Sequence, residues 1–135
     1  MNERGSVTAF VVIMTSALLA MAGLVIDGGY ALAAHRRAFN EAEAAARAGA
    51  QAVDLDTLRA TGDVVLDAGE AERRALEYLA ALDRSGSVEV DGDVVRVHLS
   101  FEHGLVLLDA FGVGPMTIEG DGEARAVRGV TEAST

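Results

Sequence analysis

Residues 6–26 read SVTAFVVIMTSALLAMAGLVI, a stretch of 21 residues without a charged side chain. An α-helix rises about 1.5 Å per residue, so this stretch is long enough to cross the roughly 30 Å hydrocarbon core of a bilayer. We therefore expect residues 1–30 to form a transmembrane anchor, and the lipid bilayer to be the first partner of this chain.

A cleavable signal peptide is the alternative interpretation of the same stretch. Ala20-Met21-Ala22 fits a small-x-small cleavage site. Two features favour the uncleaved anchor: the apolar stretch continues past that site to Ile26, and Glu3 offsets the positive charge of Arg4.

The acidity of the chain is confined to its C-terminal part. Residues 1–53 contain four Arg and four acidic residues, whereas residues 54–135 contain seven Arg and 17 acidic residues, which accounts for the net charge of −10. An acidic surface repels phosphate backbones, so we expect no nucleic-acid partner. The chain contains no cysteine, which excludes disulfides and thiolate metal sites.

The exit from the apolar stretch carries Asp27, followed by Gly28 and Gly29. Asp27 is interpreted as a solvated flank or as a buried polar anchor for a partner helix. Two alternatives stay open for the paired glycines: they loosen the helix, which then resumes, or they allow close approach of another helix. Small residues within the stretch permit close helix contacts, so residues of this segment are predicted to associate with another helix: Ala17, Ala20, Gly23 and Asp27.

Residues 31–53 are rich in alanine, the strongest helix former, and are predicted to form a stalk helix. A narrow stripe of mostly small side chains recurs at three- and four-residue steps: Phe39, Ala42, Ala46, Gly49 and Val53. Two alternatives stay open for this stripe. It packs on the chain's own domain, or Phe39, Ala42 and Ala46 associate with neighbouring subunits.

Residues 54–128 are predicted to form a small acidic head, which begins with a loop over 54–67 that contains a short apolar patch. Asp67 is a plausible N-cap with Glu70 three residues later, as in a capping box. The helix that follows, residues 71–82, has an apolar side made of Ala71, Ala75, Leu76, Leu79 and Leu82.

Beyond this helix the apolar period changes from helical to alternating. Val88 and Val90 precede Asp91-Gly92-Asp93, and residues 95–101 alternate after it, which strongly predicts a β-hairpin. Residues 105–111 are predicted to form a helical turn under the sheet, and residues 116–127 a third strand. Residues 129–135 are expected to be a flexible tail.

These elements predict an α+β fold. A long N-terminal transmembrane and stalk helix precedes a small domain, in which a second helix packs on a three-stranded antiparallel sheet.

The sequence contains no evident catalytic motif. His98 lies on the polar side of the predicted second strand, and His103 follows the end of that strand, so the two do not share a face. His35 is expected at the surface. Phosphate-binding glycine loops and nucleophile elbows are missing from the sequence. We therefore predict no enzyme activity, cofactor or metal; an exported enzyme is the third hypothesis.

The first 53 residues resemble TadE/TadG-like proteins of the tight-adherence (Tad/Flp) pilus assembly system. The resemblance rests on the order and spacing of four elements: Glu3-Arg4-Gly5, Val25-Ile26-Asp27-Gly28-Gly29, Arg36-Arg37 and the Ala-rich stretch 40–50. It implies a single-pass protein of the cell membrane, with a cytoplasmic N-terminus and an extracytoplasmic C-terminal domain. It also implies a pilin-like or assembly component that contacts other subunits through its N-terminal helix. Self-association is a further prediction.

One departure from the family pattern concerns processing. Processed pilin-like members carry a Glu shortly after the cleavage-site Gly, whereas no acidic residue lies between Gly5 and Phe10. An unprocessed, TadG-like accessory role therefore fits better than a filament subunit. The alternative function is a membrane-tethered extracytoplasmic binding module with an acidic head.

Overall fold

A computed structural model describes the backbone of residues 3–127 and the side chains from residue 5 onward. The elements follow one another as α1 Glu3–Gly49, α2 Leu55–Thr61, α3 Ala68–Ala81, β1 Gly86–Asp91, β2 Val94–His103, a 3-10 helix Leu108–Phe111, and β3 Met116–Arg125. The predicted α+β fold, a long apolar helix followed by a helix on a three-stranded antiparallel sheet, is confirmed. The predicted tail, 129–135, lies outside the described residues.

Helix α1 is continuous over 47 residues, including Gly28 and Gly29. The prediction of a loosened helix at these glycines was wrong at the level of secondary structure. A glycine costs only about 1 kcal/mol relative to alanine in a helix, and helix propagation is cooperative when good helix formers flank the weak positions.

The chain divides into two compact units. The N-terminal unit combines the chain up to Ala34 with Glu102–Thr117, and the sheet unit combines His35–Phe101 with the residues from Ile118 onward. Each unit therefore brings together segments that lie far apart in sequence.

The sheet of the sheet unit has the strand order β1-β2-β3. Strands β1 and β2 pair antiparallel, from Gly86 opposite Leu99 to Asp91 opposite Val94. Gly92 adopts a φ of 62° in the connecting turn, a left-handed conformation that glycine tolerates without strain. The predicted hairpin and its turn are confirmed.

One face of the sheet is covered by helices. Its buried strand residues are Val95, Val97, Leu99 and Ile118, and the buried helix residues of this core are Ala38, Ala42, Ala45, Ala46, Ala71, Ala75 and Leu79. Helix α3 was predicted correctly, although Leu76 and Leu82 at the edge of its apolar side are more than one-third exposed.

The loop predicted over 54–67 contains a short helix, α2. Asp54 caps it, because its carboxylate accepts hydrogen bonds from the backbone N–H groups of Asp56 and Thr57. Gly62 ends it in a left-handed conformation with a φ of 80°. Leu66 of the predicted apolar patch is buried and forms an isolated β-bridge with Val53.

The predicted N-cap of α3 is confirmed, because the Asp67 side chain accepts a hydrogen bond from the Glu70 N–H at 3.0 Å. The reciprocal half of a capping box does not form. The Glu70 carboxylate instead binds Arg73 and Arg74, and the Asp67 N–H donates to the Ala52 carbonyl.

The helical turn predicted over 105–111 is present as the 3-10 helix Leu108–Phe111. Its predicted place under the sheet stays a prediction. The turn belongs to the N-terminal unit, where the preceding backbone is hydrogen-bonded to α1. The turn lies in this unit because the N–H groups at its start donate hydrogen bonds to a side chain of α1.

Candidate functional site

Among the described residues, one helix is long and apolar enough to cross a membrane, and it lies near the N-terminus. The large apolar side chains of this part of α1 are at least 45% exposed: Val7, Phe10, Val11, Val12, Ile13, Met14, Leu18, Leu19, Met21, Leu24, Val25 and Ile26. A helix that is apolar all round requires an apolar environment. This segment therefore suits lipid, or the apolar surfaces of other helices.

Asp27 lies at the end of this apolar stretch and is only 2% exposed. Its carboxylate accepts hydrogen bonds from three successive backbone N–H groups, those of Val106 at 3.0 Å, Leu107 at 3.0 and 3.2 Å, and Leu108 at 2.7 Å. The interpretation of Asp27 as a solvated flank was wrong. Asp27 is a buried polar anchor that holds a segment of its own chain. An association of Asp27 with a partner helix stays a prediction.

The carboxylate acts as a non-local cap. Leu107, at the N-terminus of the 3-10 helix, has no side chain that could accept a hydrogen bond from this turn. Buried backbone N–H groups need acceptors, and a carboxylate is a strong one. Residues 106–108 were not predicted from the sequence, because they contribute backbone N–H groups and not side chains. The feature of the sequence that could have indicated such a contact is Asp27 itself, an acidic residue at the end of the apolar stretch with no basic residue nearby in sequence.

Gly23, one helical turn before Asp27, contacts the same segment. A Cβ atom added at Gly23 would lie 3.4 Å from the Leu107 Cβ and 3.6 Å from the Leu108 Cδ2. Gly23 and Asp27, both predicted for helix association, are thus brought together by the chain itself. Of the other predicted residues in the apolar stretch, Ala17 is exposed and Ala20 is partly exposed. Their association with another helix stays a prediction.

The C-terminal part of α1 packs on strand β3 through small residues. A Cβ atom at Gly120 would overlap Ala38, and one at Gly122 would overlap the backbone of Ala42. Ala42 and Ala46 are fully buried, whereas Phe39 is 47% exposed. For Ala42 and Ala46 the structure shows packing on the chain's own domain. The buried stripe contains Ala38 in place of Phe39, because Ala38 faces the glycines of β3.

A partly buried arginine ties α1 to the hairpin in the sheet unit. The Arg84 Nε donates to Glu41 Oε2 of α1 at 2.9 Å, and its guanidinium lies 4.0 Å from the centre of the Phe101 ring. Both side chains of the ion pair are less than one-quarter exposed. This arrangement combines a charge-assisted hydrogen bond with a cation–π contact.

The other face of the sheet is polar. Arg96 Nε lies 2.9 Å from Glu123 Oε2, and His98 Nδ1 lies 2.7 Å from Asp121 Oδ1. The hydrogen bond to Asp121 raises the pKa of His98 above its usual value, because the imidazolium is stabilised by the carboxylate. About half of the His98 side chain is exposed, so the interaction is screened by water.

The three histidines are distributed over both units. His98 belongs to the sheet unit, whereas His103 belongs to the N-terminal unit, and His35 is a partly exposed residue of α1. Among the described residues, no group of three or more His, Asp or Glu side chains is arranged to hold a metal ion.

Comparisons with known proteins agree with the N-terminal resemblance. Residues 5–52 match the family model described as putative Flp pilus-assembly TadE/G-like. No curated protein and no solved structure gives a significant match to the chain. The matched range contains the whole apolar stretch, Asp27 and the alanine-rich part of α1. Over residues 5–52 the chain is therefore TadE/TadG-like, as its sequence elements predicted.

Proposed function

We propose that this protein is a non-enzymatic, membrane-anchored, pilin-like or assembly component of a Tad/Flp-type pilus or a related envelope secretion system. The match of residues 5–52 to the TadE/G-like family is the observation that carries this proposal. The exposed apolar part of α1 supports it, since a span of this length and composition is suited to a bilayer.

The proposed organisation assigns each region a role. Residues 1–30 anchor the protein, residues 31–53 form a stalk, residues 54–128 form the acidic head, and residues 129–135 are a tail. In the proposed orientation, the N-terminus is cytoplasmic and the head is extracytoplasmic. The net charge of −10 in the C-terminal part supports a solvated head and disfavours binding to an anionic membrane surface.

Contacts with other subunits are proposed to involve the apolar part of α1. Ala17 and Ala20 are the most accessible of the small residues predicted for this role, because Gly23 is covered by Leu107 and Leu108. Small side chains allow helices to approach closely within a membrane. Phe39 is also accessible to a neighbouring subunit, whereas Ala42 and Ala46 support the head from within.

Orientation and processing are testable in one preparation, because the chain contains no cysteine. We would introduce Ser87→Cys on the exposed face of β1 and, in a separate variant, Ser6→Cys at the start of the apolar stretch. A membrane-impermeant maleimide should label the cysteine at 87 in spheroplasts, and the cysteine at 6 only after lysis. The reverse pattern would overturn the proposed orientation.

The intact mass and N-terminal sequence of the membrane fraction complete this experiment. A start at Met1 or Asn2 supports an uncleaved accessory component. A start at Ser6 indicates pilin-like processing, and a start at Gly23 contradicts the anchor.

The alternative function, a tethered binding module, is favoured by the open polar face of the sheet. This face carries three acidic residues, Glu89, Asp121 and Glu123. Arg96 and His98 pair with two of them, and the remaining acidic excess suits a basic partner. A photo-crosslinking residue at Ala17 or at Glu89 separates the two functions. Crosslinks from position 17 to integral membrane pilus proteins support the assembly role. Crosslinks from position 89 alone support the binding module.

A further inference from the structure

We propose that residues 104–116, here called the apolar segment, insert side chains into the lipid bilayer beside α1. These residues of the head region fold in the N-terminal unit with the first part of α1, whereas the rest of the head belongs to the sheet unit. The protein would then contact the membrane through two elements that are remote in sequence. This inference rests on the membrane anchoring proposed above.

The contact with Gly23 defines the depth of the apolar segment along α1. Leu107 and Leu108 meet Gly23, which lies three residues before Ile26, the end of the uncharged stretch. At about 1.5 Å per residue, this contact is roughly 4.5 Å inside the apolar end of the helix. If the uncharged stretch spans the bilayer, the segment lies at the level where headgroups meet acyl chains.

The composition of the apolar segment suits this level. It reads GLVLLDAFGVGPM and contains one charged residue, Asp109. Five of its large apolar side chains are between 38% and 65% exposed: Val106, Leu107, Phe111, Val113 and Met116. Leu105 and Leu108 are partly buried. Such a concentration of exposed apolar side chains marks a contact surface.

The backbone hydrogen bonds of the apolar segment also suit an environment poor in water. Asp27 accepts from the N–H groups of residues 106–108. The N–H groups of residues 110, 112 and 113 donate to carbonyls at 107, 109 and 108. Pro115 has no N–H to satisfy. Irregular backbone is tolerated near hydrocarbon only when its polar groups are paired within the protein.

Lipid is the occupant that the surroundings favour. The residues of α1 that follow Gly23 are also exposed, Leu24 at 61%, Val25 at 71% and Ile26 at 45%. The exposed side chains of the apolar segment therefore continue the surface that the anchor presents to the bilayer. A protein partner at this surface is the competing outcome of the test.

The absence of tryptophan from the chain allows a direct measurement. Three single-tryptophan variants of the full chain would be reconstituted into phosphatidylcholine vesicles with brominated acyl chains. Phe111→Trp probes the apolar segment, Met14→Trp probes the anchor, and Tyr78→Trp on α3 is the matched aromatic control. We expect bromolipid to quench the probes at 14 and 111 by at least twofold, and to leave the probe at 78 nearly unchanged.

The outcomes separate this inference from the proposed anchoring. Quenching at 14 without quenching at 111 overturns the insertion of the apolar segment and leaves the anchor intact. No quenching at 14 overturns the anchor and, with it, this inference. Blue-shifted emission at 111 that resists bromolipid and disappears on dilution of protein in lipid identifies a protein partner and overturns lipid as the occupant. Equal quenching at 78 and 111 also contradicts the inference.

Discussion

The two units of the molecule bring distant segments together by different physical means. In the N-terminal unit, one buried carboxylate on α1 accepts hydrogen bonds from three successive N–H groups at residues 106–108. In the sheet unit, Gly120 and Gly122 of β3 lie directly against the backbone of α1. In the N-terminal unit, the contact depends on hydrogen bonds between backbone N–H groups and one carboxylate. In the sheet unit, the contact depends on glycines, which have no side chain to keep the strand away from the helix. Each dependence predicts a different way to disrupt the fold.

The largest effect is expected from Asp27→Ala, which removes the acceptor of three backbone N–H groups. A buried N–H left without an acceptor costs about 1–3 kcal/mol, so the segment around residues 106–108 should open. Amide hydrogen exchange of the full chain in detergent micelles, measured by mass spectrometry, should become at least about tenfold faster in this segment.

Asp109→Ala is the matched control, because Asp109 is an exposed acid in the same segment. Exchange around residues 106–108 should remain close to the wild-type rate in this variant. If Asp27→Ala leaves the exchange unchanged as well, the carboxylate does not hold the segment, and the contrast between the two units fails.

A somewhat smaller effect is expected from Gly122→Ala in the sheet unit. The added methyl group would overlap the backbone of Ala42, so α1 or β3 has to shift. Overpacking of this kind costs about 1–3 kcal/mol in free energy of unfolding. Denaturation of the full chain, followed by circular dichroism, measures the loss.

Gly69→Ala serves as the control for this variant. Near the start of α3, a Cβ atom at Gly69 meets only the Asp67 Oδ1, at 3.6 Å. Alanine is the better helix former by up to about 1 kcal/mol, so this variant should be as stable as the wild type or more stable. Equal destabilisation by both variants would show that glycine in general, and not the contact with Ala42, determines the result.

The smallest effect concerns the polar face of the sheet. Asp121→Asn should lower the pKa of His98 towards its ordinary value, because the hydrogen bond to the Asp121 carboxylate is the main cause of the raised pKa and Glu119 adds a weaker attraction. A raised pKa in the folded state means that this pair contributes its full stability below the unfolded-state pKa of about 6.5. The contribution is lost as pH rises through the higher pKa of the folded state.

An NMR titration of the His98 ring in wild type and Asp121→Asn tests this assignment. Asp109→Asn, which changes the charge equally in the N-terminal unit, should leave the His98 pKa unaltered. Identical His98 titrations in wild type and Asp121→Asn would refute the role of the Asp121 carboxylate.

Local patterns in the sequence predicted the elements that depend on neighbouring residues. The alternation around Asp91-Gly92-Asp93 specified the hairpin, and Asp67 before an apolar period specified the start of α3. Helix α2 was missed because only seven residues form it and none is buried, so it has no apolar period to detect. Its caps, Asp54 and Gly62, were the only local signal.

The sequence by itself determined the apolar stretch, the acidic C-terminal part, the α+β order of elements and the TadE/TadG-like character of the N-terminal region. These properties depend on composition and short-range periodicity. Only the tertiary structure decided that Asp27 is buried, that Phe39 is exposed while Ala38 is buried, and that residues 106–108 meet α1. Asp27 and residues 106–108 are about 80 positions apart in sequence. Their pairing depends on backbone N–H groups, which every residue except proline carries. The sequence therefore does not indicate which of these groups Asp27 binds.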